Sequence, residues 1–216
     1  MFRDSDFEFT MLIIGVVGQI ASGKGILVSY LTEKLGFTSF SLSSAVRREI
    51  EKKGIKKYTR QMLQDVGDDL RREYGDDVLA KRILRQIESD KIRYNRSSQL
   101  NQLNRVVIEG IRNLAEIEFL KKNSNFILIG VKVNRKLRFK RLLQRAKPWD
   151  PKTYSDFVKV DRRDLGIGQN KSGQQVGKCL TYCDYVLTNN KDINYFEKKV
   201  ENLLIHKLFS GGFVGK

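Results

Sequence analysis

The chain has 216 residues, 40% of them apolar, and a formal net charge of +16. This length suits one domain with small inserted lobes, and the apolar share supports a real core; no run of about 18 apolar residues exists, which excludes a helical membrane span. The charge points to polyanionic ligands, whether nucleotides, nucleic acid or an acidic surface, and the two cysteines, Cys179 and Cys183, fit a reducing cytoplasm better than a disulfide framework or a zinc site.

Residues 1–10 are acidic and aromatic and read as an arm before the first strand, not as a secretory signal. Leu12 to Val17 is an apolar run. It leads into Gly18-Gln19-Ile20-Ala21-Ser22-Gly23-Lys24-Gly25, and a helical pattern follows at Leu27, Leu31 and Leu35. Strand, glycine-rich loop and helix in that order make a phosphate cradle. Its amides converge on phosphate oxygens at the positive end of the helix, and Lys24 adds a mobile full charge. Gly18, Ala21, Ser22, Gly23, Lys24, Gly25 and Ile26 are the expected binding residues. The usual pattern ends in a Ser or Thr hydroxyl that holds magnesium; Gly25 and Ile26 supply none. No protein ligand for a metal is therefore assigned, and magnesium is expected on nucleotide phosphates and water.

The first helix should stop at Gly36. Phe37 to Leu42 reads as a second strand. Ser43 or Ser44 can cap a helix running to Lys53, closed by Gly54. Thr59 can cap the next, with Met62, Leu63, Val66, Leu70 and Tyr74 on its buried side. A third helix starts after Asp76 and Asp77. The polar segment 94–104 reads as a mobile surface loop. Val106 to Ile108 is a strand ending at Glu109-Gly110-Ile111-Arg112. A helix through Ile117 and Leu120 follows, then a fourth strand over Phe126 to Val133.

A helix from Arg135 to Ala146 carries Arg135, Lys136, Arg138, Lys140, Arg141 and Arg145 without one carboxylate. That run also fits a basic groove for nucleic acid. Thr153 can cap another helix, with Arg162 and Arg163 near its end. Over 147–177 the chain has few large apolar residues, so it should be poorly buried and mobile without ligand. Cys179 and Cys183 should lie on one face of a core helix as packing residues. Tyr185 to Leu187 is a fifth strand, ending at Asn189-Asn190, and a last helix holds Phe196, Val200, Leu203 and Leu204. His206 is the only histidine and lies far along the chain, which rules out a histidine-based triad. Trp149, beside Pro148, reads either as a hinge contact or as surface packing.

The motifs resemble those of the nucleoside monophosphate kinase superfamily from about Leu12 to Leu204. Gly23-Lys24-Gly25 resembles the adenylate kinase loop, in which a threonine follows; Ile26 departs from it. The wording is closest to an archaeal-type branch grouped with dephospho-coenzyme A kinase. The resemblance implies an α/β P-loop fold over 11–209, with a five-stranded parallel sheet flanked by helices. It also implies an acceptor-binding insertion at about 43–104, a lid at about 147–177, and a tail at 210–216. ATP and magnesium are the implied cofactors, and a small phosphorylated acceptor is the implied partner. The segment from Ser41 through Ser43 to Arg47 resembles the opening of the acceptor lobe, and Glu109-Gly110-Ile111-Arg112 a shortened Asp-Gly-Phe-Pro-Arg motif. Ser41, Ser43, Arg47, Glu109, Gly110, Arg112 and Glu116 would bind the acceptor, Glu116 facing its base. Arg141 would stack on the donor base, beside Asn189. Arg145, Arg162 and Arg163 would close over the transferring phosphoryl group. Read without the resemblance, Arg47 also fits a solvated helix face, Glu109 an ion pair with a loop lysine, and Asn189 an ordinary turn. Transfer to a nucleoside or deoxynucleoside monophosphate is the implied activity. Dephospho-coenzyme A kinase is the alternative enzyme, and a nucleotide-gated nucleic-acid-binding module the alternative of another class.

Overall fold

The computed structural model describes residues 11–94 and 104–208. The expected arm at 1–10, nearly all of the polar segment at 94–104 and the tail at 210–216 lie outside the described residues. Five strands, β1 (Leu12–Gly18), β2 (Thr38–Ser41), β3 (Arg105–Glu109), β4 (Asn125–Lys132) and β5 (Tyr185–Thr188), form one sheet. Their order is β2-β3-β1-β4-β5 and every pairing is parallel. All seven residues of β1 are buried, as a strand covered on both faces requires. Alternate residues point to opposite faces. Ile13 and Val17 enter one core with Val106, Ile108 and Leu128, while Ile14 and Val16 enter the other with Val107, Ile129 and Val131.

The helices are α1 (Lys24–Leu35), α2 (Leu42–Lys52), α3 (Arg60–Tyr74), α4 (Val78–Tyr94), α5 (Leu114–Asn123), α6 (Arg135–Arg145), α7 (Tyr154–Leu165), α8 (Val176–Cys179) and α9 (Ile193–Leu203), the last running into a π-helical turn, Leu204–Leu208. Helices α1 and α9 cover one face of the sheet; α4, α5 and α8 cover the other. Among the described residues no helix is long and apolar enough to cross a membrane.

Several boundaries follow local chemistry. Gly36 takes a left-handed φ of 69° and stops α1, and the Thr59 and Thr153 hydroxyls accept from the Met62 and Asp156 amides to start α3 and α7. Helix α2 departs from expectation. Strand β2 runs directly into it, so Ser41 is the cap residue, and the Ser44 hydroxyl donates back to the Ser41 carbonyl at 2.6 Å. Tyr74, expected inside, is 54% exposed, because α3 turns Gln64, Asp68 and Arg71 inward instead. The two cysteines do not share a helix: α8 is one turn ending at Cys179, and Cys183 lies in the turn beyond it. The Cys183 sulfur packs over Gly130, where a Cβ would meet it at 2.9 Å. Burial pushes both thiols up, Cys183 to about 12, so both act as packing groups.

Burial over 147–177 is uneven: most of the segment is exposed or half-buried, but several residues anchor it. Phe157 is fully buried with Ile20 and Leu142, which ties α7 to the phosphate loop. Asp161 is completely buried and forms a bidentate pair with Arg138, also buried. Asp164, Gln174 and Gln175 are buried as well, and the Gln175 amide donates to the Arg112 carbonyl at 2.6 Å. Counting apolar residues misses this anchorage, because charged and amide side chains provide much of it.

Candidate active site

The carboxyl ends of β1, β2 and β3 converge where parallel α/β sheets bind ligands. Between β1 and α1 the loop turns at Ala21, with φ 59°, and at Gly23, with φ 89°. Gly23 is required twice over. Its φ suits glycine, and a Cβ there would meet the Asn189 side-chain nitrogen at 2.3 Å. Asn189 is buried, and its amide donates to the Ser22 carbonyl at 3.0 Å. The Lys24 ammonium folds back over the loop and donates to the carbonyls of Gly18 at 2.6 Å and Gln19 at 2.9 Å. Burial, followed by the nearby Arg112 charge, lowers its pKa from 10.5 to about 8. Gly25 and Ile26 lie beside this cradle, where they line open clefts.

A cleft of about 640 Å³ runs from Ala21, Gly23 and Ile26 past Arg141 and Arg145 to Asn189. Arg141 donates to the Asn189 carbonyl at 3.0 Å and to the Lys191 carbonyl at 3.0 Å, so it is fixed against the loop after β5. On the other side of Lys24 lies a mouth of about 160 Å³. Lys24, Arg47, Arg60, Arg112, Arg145 and Lys147 line it with Ser41, Ser43 and Glu109. Six cations line it with one carboxylate, and although Asp150 and Asp164 stand behind three of them, the mouth keeps a net positive charge that suits an anion.

Partners hold most of these cations in place. Arg112 pairs with Asp164 at 3.2 Å and donates to the Ser43 hydroxyl and the Gly110 carbonyl, both at 3.1 Å. Gly110, with φ 84°, brings the chain so close to Ser43 that a Cβ would stand 3.0 Å from its hydroxyl. Arg145 grips both oxygens of Asp150, at 2.7 and 3.0 Å, and Arg60 takes the same carboxylate at 2.9 Å. Burial alone would raise the Asp150 carboxyl, but the hydrogen bonds from Arg145 and Arg60 carry it below its ordinary value. Burial lowers the pKa of Arg60 itself. Arg47 lines the mouth and makes no ion pair among the described residues.

Three expected residues stand elsewhere. Glu116 is fully buried. One oxygen takes Arg71 at 2.8 and 3.0 Å, and the other takes the amides of Arg112 and Asn113. With both oxygens engaged it caps α5 and holds Arg71, and it cannot face a base. Arg163 is bound to Asp65 and Asp68 of α3, and Arg162 is exposed on α7; neither lines the mouth. The basic helix is not a continuous basic face either. Arg138 and Arg135 both reach Asp161, Arg141 and Arg145 are committed as above, and Lys136 and Lys140 are exposed. Much of the basic run is thus committed to partners within the fold, and Lys136 and Lys140 are its free cations among the described residues. Trp149 stacks on Tyr58 with ring centres 5.6 Å apart, and its carbonyl accepts from the Arg60 amide, so it joins the 147–177 segment to α3.

Arg60, Asp150, Asp164 and Gln64 belong to this region and carry no local sequence signal. The partners that bind Arg60, Asp164 and Gln64 lie 52 to 110 residues away, and Asp150 joins its near neighbour Arg145 to the distant Arg60.

A UPF0200 protein of Pyrococcus horikoshii is 32% identical over 196 residues, covering 89% of this chain and 96% of that protein. The chain belongs to the UPF0200 family. Another UPF0200 protein, from Methanothermobacter thermautotrophicus, is 32% identical over 198 residues and is covered to 90%, as is this chain. No family model matches. Among solved structures, a shikimate kinase from Bacteroides thetaiotaomicron superposes with a TM-score of 0.52 at 16% identity, over 91% of this chain and 98% of that one. A shikimate kinase from Acinetobacter baumannii in complex with shikimate gives 0.51 at 17% identity, over 93% and 97%. This UPF0200 member thus has the P-loop kinase fold, with a five-stranded parallel sheet flanked by helices.

Proposed function

We propose that this UPF0200 protein is an ATP-dependent phosphotransferase acting on a small phosphorylated acceptor, with nucleoside and deoxynucleoside monophosphates the first class to test. The observation that carries the reading is the six-cation mouth, which shares Lys24 with the phosphate loop and so sets a second anion beside the donor. In this reading the amides from Gly18 to Ile26 and the Lys24 ammonium hold the donor phosphates. Arg141 and Asn189 border the donor base. Arg47, Arg112 and Ser43 hold the acceptor phosphate, and Arg60 joins them from α3. Arg145 stands between the two halves, lining both the cleft and the mouth.

The reaction forms a bond from an acceptor oxygen to the γ-phosphorus and breaks the bond to the β,γ-bridging oxygen, releasing ADP. A phosphate acceptor is already largely ionised at neutral pH, so positioning and charge neutralisation suffice and no strong base is required. Magnesium, when bound with nucleotide, adds charge neutralisation. The loop offers it no hydroxyl at Gly25 or Ile26, both oxygens of Asp150 are engaged by arginines, and Asp164 gives one oxygen to Arg112. Glu109 is the one carboxylate lining the mouth, fit to accept from a metal-bound water. Dephospho-coenzyme A, whose acceptor is a hydroxyl, is the alternative substrate.

The test is ADP release coupled to phosphorus NMR of the product, with ATP and each monophosphate or dephospho-coenzyme A in turn. Acceptor-dependent ADP and a doubly phosphorylated product are expected, with Lys24→Ala slower by at least about 100-fold. If no acceptor accelerates ADP release, or if Lys24→Ala keeps full activity, the reading fails.

A further inference from the structure

Beside the cationic mouth lies a smaller cavity of about 30 Å³ between α2, α3, α4 and α7. Leu42, Val46, Leu63 and Leu79 form its apolar walls, and Gln64, Arg71 and Asp164 are among its polar ones. Arg112 and Arg60 line both this cavity and the mouth, so one ligand can enter both.

Two of its residues keep unused acceptors. Gln64 is 2% exposed, and its amide nitrogen donates to the Val160 carbonyl at 3.1 Å and to the Gln174 amide oxygen at 3.2 Å. Those two acceptors fix the orientation of the amide, and its Oε1 has no partner among the described residues. Asp164 is 1% exposed; one oxygen meets Arg112, and Oδ2 has no hydrogen-bond partner among the described residues. Buried acceptors are rarely left this way, and here both belong to the wall of one cavity.

A third feature is Gly67, in the middle of α3 on the cavity wall. Glycine inside a helix is less stable than alanine. A Cβ at this position would meet only Arg71 and Val46, at 3.6 and 3.7 Å, which are ordinary contacts. Alanine therefore fits the fold, and what glycine preserves is volume.

We propose that this cavity seats the hydroxyl-bearing part of the acceptor, with neighbouring sugar hydroxyls donating to Gln64 Oε1 and Asp164 Oδ2 while the attached phosphate lies in the mouth. The inference rests on the acceptor reading given above. An ammonium donor is disfavoured by the arginines around the cavity. An aromatic ring needs about 150 Å³, so a nucleobase stays outside and only the hydroxyl-bearing edge of a sugar enters. The hydroxyls can belong to the ribose of a nucleotide or to a free sugar phosphate.

The test compares AMP, GMP, CMP and UMP with their 2′-deoxy counterparts and with ribose 5-phosphate. Turnover is measured with ATP, and binding by calorimetry without it. A site built to pair a hydroxyl rejects the analogue that lacks it, so ribonucleotides should exceed deoxynucleotides by at least about 30-fold in kcat/KM. Binding of ribose 5-phosphate by itself assigns the hydroxyls to any sugar phosphate; binding of ribonucleotides only assigns them to the nucleotide. Gly67→Ala should raise the melting temperature and weaken acceptor binding at least about tenfold, while its Kd for ATP stays within about twofold. Comparable turnover of ribo and deoxy acceptors, with normal acceptor binding by Gly67→Ala, would overturn the inference while leaving the phosphotransferase reading intact; the cavity would then hold water only. If nothing turns over, calorimetry still decides: binding of ribose 5-phosphate or a ribonucleotide that Gly67→Ala abolishes upholds the seat, and no binding by any of them rejects it.

Discussion

Nucleotide binding should take up a proton at Lys24. In the free protein its pKa is about 8 instead of 10.5. Donor phosphates placed at its ammonium favour the charged form and should restore at least the ordinary value. At pH 7 and below the lysine is at least about nine-tenths charged with and without nucleotide, and little proton uptake accompanies binding. At pH 9 about nine-tenths of the free protein is neutral at Lys24, so about 0.9 proton should be taken up per nucleotide and affinity should be about tenfold weaker than at pH 7. The full coupling is about 3 kcal/mol, at roughly 1.4 kcal/mol for each pKa unit.

The assay is calorimetry at pH 9 in two buffers of different ionisation enthalpy, repeated with Lys24→Met. Equal apparent enthalpies in the two buffers, or an uptake that survives Lys24→Met, would refute the argument. The same shift has a consequence for folding. Between pH 8 and 10.5 the unfolded chain holds more protons at this residue, so its contribution to stability rises with pH across that window. Lys24→Met should therefore gain stability relative to the wild type at pH 7, by up to about 3 kcal/mol, and lose that advantage as the pH approaches 10.5.

Asp150→Asn should leave Arg60 and Arg145 without their shared anion, costing about 2–4 kcal/mol by denaturant titration. Because the folded-state pKa of Asp150 lies below its ordinary value, the stability it confers is present above about pH 4 and lost as the pH falls further; the variant should lack that acid-sensitive component. Asp161→Ala strands the buried Arg138 and should cost about 3–5 kcal/mol, with faster hydrogen exchange confined first to α7; unchanged exchange there would remove the anchoring role assigned to the pair. Arg163→Ala should lower stability by about 1–2 kcal/mol and leave turnover within about threefold, and a fall of several orders of magnitude would return Arg163 to the transferring phosphoryl group.

The strands, the phosphate loop and the convergence of Lys24, Arg47 and Arg112 were legible because each rests on local pattern: apolar runs, glycine spacing, and charges placed just after strand ends. The buried polar contacts were not. Arg60 meets Asp150 across 90 residues and Gln64 meets Gln174 across 110, and periodicity carries no information over such separations. Arg162 and Arg163 do not line the mouth, and a charged residue near the end of a helix looks the same from the sequence whether it faces a ligand, solvent or, as Arg163 does, Asp65. Glu116 is a different kind of miss. Asn113 three residues before it is a helix-start pattern in which the acidic side chain reaches back to the backbone, and the structure contains that arrangement. The cue was present, and the family resemblance outweighed it.

The sheet tapers. Its central strands β1 and β4 have seven and eight residues, whereas the edge strands β2 and β5 have four each. An edge strand offers its outward backbone groups as a template on which another chain can grow a cross-strand ladder. Here each border presents only a few such groups, and β2 passes at once into α2, where the backbone pairs within itself. Shortening the borders relative to the middle protects the protein against edge-to-edge aggregation without a single gatekeeping charge in either border strand.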